Sequence, residues 1–446
     1  MRLSKTKGIE YIFFILSVIN IFLQLKYSIA YVTYVIYAFI FAGVCTKVID
    51  NERFLLYALF IPNKYLQILT IPIYLFLKGK LFRTRLPKKI TLFIGFIFFA
   101  GVINCCIYKG LFLATLFQVG LYYCILVLAQ QFNDDYSCEK IYIDFFDYVF
   151  VLQVFCAILE LLMARGSGDN IRGTFESAHY FGVFLLAYLY MLYKVDNRKQ
   201  KKFDKLIRYA LAIVIFILAD AKHVFAVVLL SFILVKILSQ LHIKRQIMFV
   251  GAALLIGSGL FITIAQSSID HSLIKGQSAS TYLYNDKYNK KYAYMVNTLE
   301  EMKSINGLIG FGVGQYGSQI SITMSKGIIY EWNDGLSAYK YAIAPYKRAI
   351  RGLMTEWYTN TGIGMSSMVL GYPLVSFVGM VAELGILGFL LFCEILDELY
   401  EKKNKLFIIS FIFLTIFDTY LEIACVFVLI LFITNIYQKK GKIVIA

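Results

Sequence analysis

Four short segments of the chain carry residues whose types and spacing could do chemistry. The first is Arg172-Gly-Thr-Phe-Glu-Ser-Ala-His-Tyr-Phe-Gly182, which sets a guanidinium ahead of Glu176 and His179. Glu176 and His179 stand at i,i+3 and share one helical face. With Arg172 they suit recognition of an anionic headgroup. The plainer alternative is an interfacial Arg that snorkels and a His satisfied by its neighbours. The second is Ala219-Asp-Ala-Lys-His223, which interrupts an apolar run from Leu211 to Leu238. A tight turn accounts for Asp220. Lys222 and His223 at the start of the next helix oppose its dipole, which points to an anion as partner. The third is Lys347-Arg-Ala-Ile-Arg-Gly-Leu-Met-Thr-Glu-Trp357, with Lys347, Arg348, Arg351 and Glu356. Arg grips diphosphate oxygens in bidentate fashion, which Lys cannot; a solvated basic helix is the alternative. The fourth, Gly310-Phe-Gly-Val-Gly-Gln-Tyr-Gly317, matches GxGxxG. A dinucleotide site would need a preceding strand and a following helix, and neither pattern flanks it. A glycine-rich turn that brings backbone close to a ligand or a membrane helix fits better.

The elements that must position these residues are membrane helices. The chain has 446 residues, 59% hydrophobic and 16% charged, with mean hydropathy +0.69. Soluble domains run to about 45–50% apolar and about 25% charged. The composition excludes a soluble enzyme, a coiled coil and a disordered chain, and predicts an all-α polytopic membrane protein. A pass needs roughly 20 apolar residues. Passes are predicted at about 9–25, 28–46, 54–77, 90–108, 111–131, 144–164, 177–193, 207–220, 222–239, 246–265, 373–396, 406–420 and 421–437, a bundle of about 12–14 helices.

Orientation follows the positive loops. Segments 78–89, 194–208, 242–245, 402–405 and 439–442 are basic and fit the cytoplasmic face, which accounts for the net charge of +16 without nucleic acid. The basic N-terminus wants the same side, yet three passes precede Lys78. Pro62-Asn63-Lys64 and Pro72 suggest that 54–77 is two short helices forming a shallow hairpin, which puts both termini in the cytoplasm. The chain then divides into an N-terminal bundle (1–265), an extracytoplasmic loop or cap (266–372) and C-terminal membrane helices (373–446). The cap is far longer than an ordinary connection and contains Trp332, Trp357 and many tyrosines, so it is predicted to be ordered. Asp286–Ile305 has Tyr288, Tyr292, Met295, Leu299 and Met302 at helical spacing.

Eight cysteines show no CxxC and no zinc-like spacing, so neither a metal site nor a disulfide framework is expected. The first apolar stretch lacks a small-residue cleavage site and reads as a retained helix.

In their order, these segments resemble the O-antigen polymerase and ligase superfamily, multi-pass proteins with one large late extracytoplasmic loop. The resemblance rests on Arg172 followed by Gly173-Thr-Phe175, on Ala221-Lys222, on Gly312-Val-Gly314 and on Glu383-Leu-Gly-Ile-Leu-Gly388. Together they span about half the chain. Arg351 and Gly362 also give an Arg-x10-Gly spacing that recurs in outside loops of some polysaccharide polymerases. Two departures stand out. Ala178-His179 replaces the usual Pro-Asn, and Ser366-Ser367 with Gly371-Tyr-Pro373 stands where ligases carry a His-Asn pair. The second departure favours polymerase over ligase.

The resemblance implies an undecaprenyl-diphosphate-linked oligosaccharide donor at the outer face of a bacterial plasma membrane. It also implies a partner flippase and a chain-length regulator, and no cofactor. Transfer from such a donor needs charge stabilisation on the leaving phosphate and a base for the acceptor hydroxyl. Arg172, Lys222, Arg348 and Arg351 are the expected diphosphate and glycan ligands. Glu356 and Glu383 are the expected bases, with His179 and His223 as rivals. A lipid-substrate flippase is the main alternative without catalysis. It would spread charge through the bundle midplane, whereas these charges gather at one face. A metal-dependent multi-pass glycosyltransferase would want acidic residues in its first outside loop; Asp134-Asp135 lies inside by the charge rule.

Overall fold

The computed structural model describes residues 2–27, 31–134, 139–163, 171–175, 177–194, 202–219, 221–258, 286–318, 321, 342–350, 376–400 and 405–417. Among these, all regular structure is α-helical. In chain order the helices are α1 (Arg2–Tyr27), α2 (Val32–Cys45), α3 (Asn51–Leu59), α4 (Lys64–Leu77), α5 (Lys88–Tyr108), α6 (Phe112–Asp134), α7 (Glu139–Met163) and α8 (Ala178–Lys194). They continue as α9 (Lys202–Leu218), α10 (Lys222–Gln240), α11 (Gln246–Ser258), α12 (Asp286–Glu301), α13 (Asn306–Ile309), α14 (Ala344–Ile350), α15 (Ser376–Leu399) and α16 (Leu406–Phe417).

Among the described residues, five helices are long and apolar enough to cross a membrane: Gly8–Tyr27, Lys88–Tyr108, Phe112–Gln131, Asp144–Met163 and Phe377–Leu399. Shorter apolar helices accompany them, among them α2, α8, α10, α11 and α16. The protein is therefore an all-α membrane protein. The expected pass at 421–437 and much of the 266–372 cap lie outside the described residues.

The expected break in 54–77 is present. Asp50 caps α3 through Arg53 N (2.8 Å), and the Asn63 side chain accepts from Tyr65 N and Leu66 N at the start of α4. Gln67 Nε2 donates to Leu59 O (3.0 Å) and Ile61 O (2.8 Å), satisfying carbonyls that the end of α3 leaves open. The expected helix Asp286–Ile305 is shorter than the pattern suggests: α12 stops at Glu301 and a turn leads into α13.

Three of the basic segments converge on the C-terminal end of α15. Lys89 pairs with Glu394 (2.9 Å) and Glu398, and Arg245 approaches Glu394 (3.4 Å). Asp397 caps α11 by accepting from Ile247 N (3.1 Å) and Met248 N (2.7 Å), and also pairs with buried Lys405. A fourth basic segment ends at Arg208, which pairs with Asp147 of α7 (2.9 Å) and donates to the Tyr188 hydroxyl (2.9 Å).

α15 is not one continuous helix. Gly385 sits at φ 69° and ψ 170°, a conformation open to glycine, so the helix is interrupted within its apolar run. Irregular backbone at membrane depth is tolerated only where protein buries it.

Candidate functional site

The Gly385 break is filled by the glycine-rich segment between α13 and residue 318. Phe311 N donates to Ala382 O (2.7 Å) and Gly312 N to Glu383 O (3.1 Å), which satisfies carbonyls freed by the interruption. The Glu383 carboxylate accepts from Gly314 N (2.9 Å), Tyr316 N (2.9 Å) and Ser318 N (3.3 Å). Gly310, Gly312, Gly314 and Gly317 all have positive φ, which curls successive N–H groups inward into an anion-binding nest. The nest is already occupied by the chain's own carboxylate.

The same glycines let the segment lie against α5 and α6. A Cβ on Gly312 would sit 2.8 Å from Gly101 Cα, and one on Gly314 would sit 2.4 Å from Ala114 O. Polar side chains of those helices fix it further. Asn104 Nδ2 donates to Gly310 O (3.1 Å), Thr115 Oγ1 to Val313 O (3.0 Å) and Gln315 Nε2 to Leu111 O (2.9 Å). The expectation of close approach to a membrane helix is met, and residues 311–318 are all buried. Tyr316 stacks on Phe311 with ring centroids 4.7 Å apart, and its burial raises the phenol above its ordinary pKa.

Glu383 therefore occupies a different kind of place from that of a general base. It is 2% exposed, and both carboxylate oxygens hold backbone N–H groups. A base must reach the proton it removes.

Arg348 lies nearby on α14, whose Tyr346 packs edge-on against Tyr316. Its guanidinium is bidentate to Glu301 of α12, with Nε to Oε1 at 2.7 Å and Nη2 to Oε2 at 2.6 Å. The bond to Glu301 holds its pKa above the ordinary value. Asn297 Nδ2 donates to Ala349 O (3.0 Å), so Arg348 and Asn297 together tie α14 to α12. Two of the guanidinium nitrogens are thus occupied within the protein.

Arg172 is placed differently. Residues 171–175 form a turn over the end of α7. Glu160 Oε2 accepts from Arg172 N (2.9 Å) and Gly173 N (2.7 Å), and Gly173 has φ 59°. Gln153 pairs with Thr174 twice: Thr174 N donates to Gln153 Oε1 (2.8 Å), and Gln153 Nε2 donates to Thr174 Oγ1 (2.6 Å). Phe175 anchors the turn among Phe60, Phe181 and Phe184. The Arg172 side chain is 42% exposed, and its Nε lies 3.9 Å from Glu160 Oε1.

His179 is half-buried in the first turn of α8. One turn on, Gly182 meets the start of α10 so closely that a Cβ there would lie 2.5 Å from Ala221 Cβ. The fold thus brings the Arg172 turn, His179 and the first residues of α10 into one neighbourhood. Lys222 and His223 open α10, but their side chains lie outside the description, as do Glu176, Asp220, Arg351 and Glu356. Glu383 and Arg348 belong to a second neighbourhood, built on α5, α6, α12, α14 and α15.

Glu160 and Gln153 escaped the reading of the sequence. They are polar residues seven apart in the apolar run of α7, and therefore on one helical face. An ionisable residue inside such a run is itself the signal. No group of three or more His, Cys, Asp or Glu side chains able to hold a metal occurs among the described residues. Comparisons with protein-family models, with curated proteins and with solved structures return no match.

Proposed function

We propose that this protein is a polymerase of lipid-linked oligosaccharide repeat units, acting at the outer face of a bacterial plasma membrane without a metal. The observation that carries the reading is Arg172. It is a half-exposed guanidinium on a turn fixed by buried polar side chains, and a guanidinium so exposed suits a bulky anionic partner. The site lies thirteen residues along α7 from Asp147 and its Arg208 partner, about 20 Å at 1.5 Å per residue. That separates it from the basic face assigned to the cytoplasm.

In this reading Arg172, with Lys222 and Arg351, holds the diphosphate of the donor and stabilises it as it leaves. His179, His223 and Glu356 remain the candidates for the base that takes the acceptor proton. Glu383 keeps the glycine-rich segment in place, and Arg348 joins two helices. Each stands one step removed from the reaction.

The test is deletion in the native host with gel analysis of the surface glycan. Loss of long chains with single repeat units retained is the expected result. Unchanged chain length would falsify the reading, and accumulation of inward-facing lipid-linked units would identify a flippase instead.

A further inference from the structure

The turn that presents Arg172 contains an incomplete bond. Glu160 is 1% exposed, and its Oε2 holds two backbone N–H groups at 2.9 and 2.7 Å. Its Oε1 has no hydrogen-bond donor among the described residues. The nearest cationic atom is Arg172 Nε at 3.9 Å, beyond hydrogen-bond reach. A buried carboxylate oxygen without a donor is costly, so this arrangement wants a reason.

The geometry supplies one. A carboxylate in contact would bind the guanidinium edge, as Glu301 binds Arg348. At 3.9 Å, Glu160 attracts the Arg172 guanidinium without a hydrogen bond to it, so no bond to Glu160 occupies its N–H groups. Gln153 removes the remaining freedom of the turn by pairing with both the N–H and the hydroxyl of Thr174.

We infer that Glu160 is the positioning residue of a phosphate site at Arg172, with Gln153 as its second anchor. The inference rests on reading Arg172 as an anion site and extends it to two residues that touch no ligand. The ligand class is a phosphate-bearing lipid, either a prenyl diphosphate or a phospholipid headgroup. Both present pairs of phosphate oxygens that a guanidinium fork binds in bidentate fashion.

The test uses the full-length protein in nanodiscs. Native mass spectrometry reads retention of geranyl diphosphate and, in a separate arm, of phosphatidylglycerol. Thermal stability is measured in parallel. Arg172→Ala should abolish retention of one of the two lipids, and which one identifies the source of the phosphate. Glu160→Gln keeps the side-chain volume and one acceptor oxygen for the two N–H groups, so stability should hold. Retention should nevertheless fall about tenfold, the scale set by a misplaced binding group. In an Arg172→Lys background the same Glu160→Gln change should have less than about a twofold effect, because its route to the ligand is already altered.

Native retention of both lipids by Arg172→Ala would remove the site and the inference with it. If Arg172→Ala loses retention while Glu160→Gln keeps native retention, the role of Glu160 alone is overturned. Equal losses from Glu160→Gln in both backgrounds would mark a purely structural role and overturn it too. None of these outcomes depends on the glycan chain-length test.

Discussion

Glu160 on α7 and Glu383 on α15 solve the same problem with different results. Each is a buried carboxylate in an apolar helix, and each holds the backbone N–H groups of a glycine-bearing turn. Around Glu383 the arrangement is closed. Both oxygens have donors, and the turn is buried against α5 and α6. Around Glu160 it is open. One oxygen lacks a donor among the described residues, and the turn carries a half-exposed guanidinium beside it. A closed clamp fixes architecture, whereas an open one can hold a reactive or binding group ready. The difference lies in how many donors the turn supplies, not in the carboxylate.

Replacing each carboxylate tests that contrast most severely. Glu383→Ala leaves three buried N–H groups without an acceptor, each worth about 1–3 kcal/mol. Loss of monodisperse protein after extraction is the expected outcome, read by size-exclusion chromatography. Glu160→Ala strands two such groups and should lower the melting temperature by a smaller amount. If the two variants melt alike, the comparison fails.

The glutamine variants sharpen it. In Glu383→Gln one amide nitrogen must face a backbone N–H, because both oxygens are in use. A clear fall in melting temperature should follow, corresponding to about 1–3 kcal/mol. Glu160→Gln can place its nitrogen at the Oε1 position, which has no donor among the described residues, and should melt within about 1 kcal/mol of the native protein. The smallest effect belongs to Arg348→Ala. Its pair with Glu301 is largely exposed on the Arg side, so about 1 kcal/mol or less is expected in a thermal melt. Lipid phosphate retention should be unchanged.

Much of the fold was legible because a membrane imposes long apolar runs on the sequence. The split of 54–77 into α3 and α4 followed from Pro62 and Asn63, and the approach of 310–317 to membrane helices followed from its glycines. The interruption of α15 was not legible. Glu383-Leu-Gly385 reads as ordinary helix until the donors of a segment some 65 to 69 residues away are placed beside it. Arg172 was visible as a cation just ahead of an apolar helix, but Glu160 and Gln153 were hidden by the apolar residues around them. Arg348 looked equivalent to Arg172, since sequence does not show that Glu301 reaches it across 47 residues. Local pattern reveals which groups exist; only tertiary pairing reveals which remain open.

The plug at Gly385 also orders events during synthesis. Gly314, Tyr316 and Ser318 leave the ribosome well before Glu383, so their curled N–H groups wait for an acceptor made later. A chain stopped short of α15 would retain the nest without its anion, and α15 inserted alone would carry an unpaired carboxylate and a gap at Gly385. Segment 306–318 and α15 are therefore one unit of assembly divided between two stretches of sequence. A chimaera that exchanges segment 306–318 should move α15 with it.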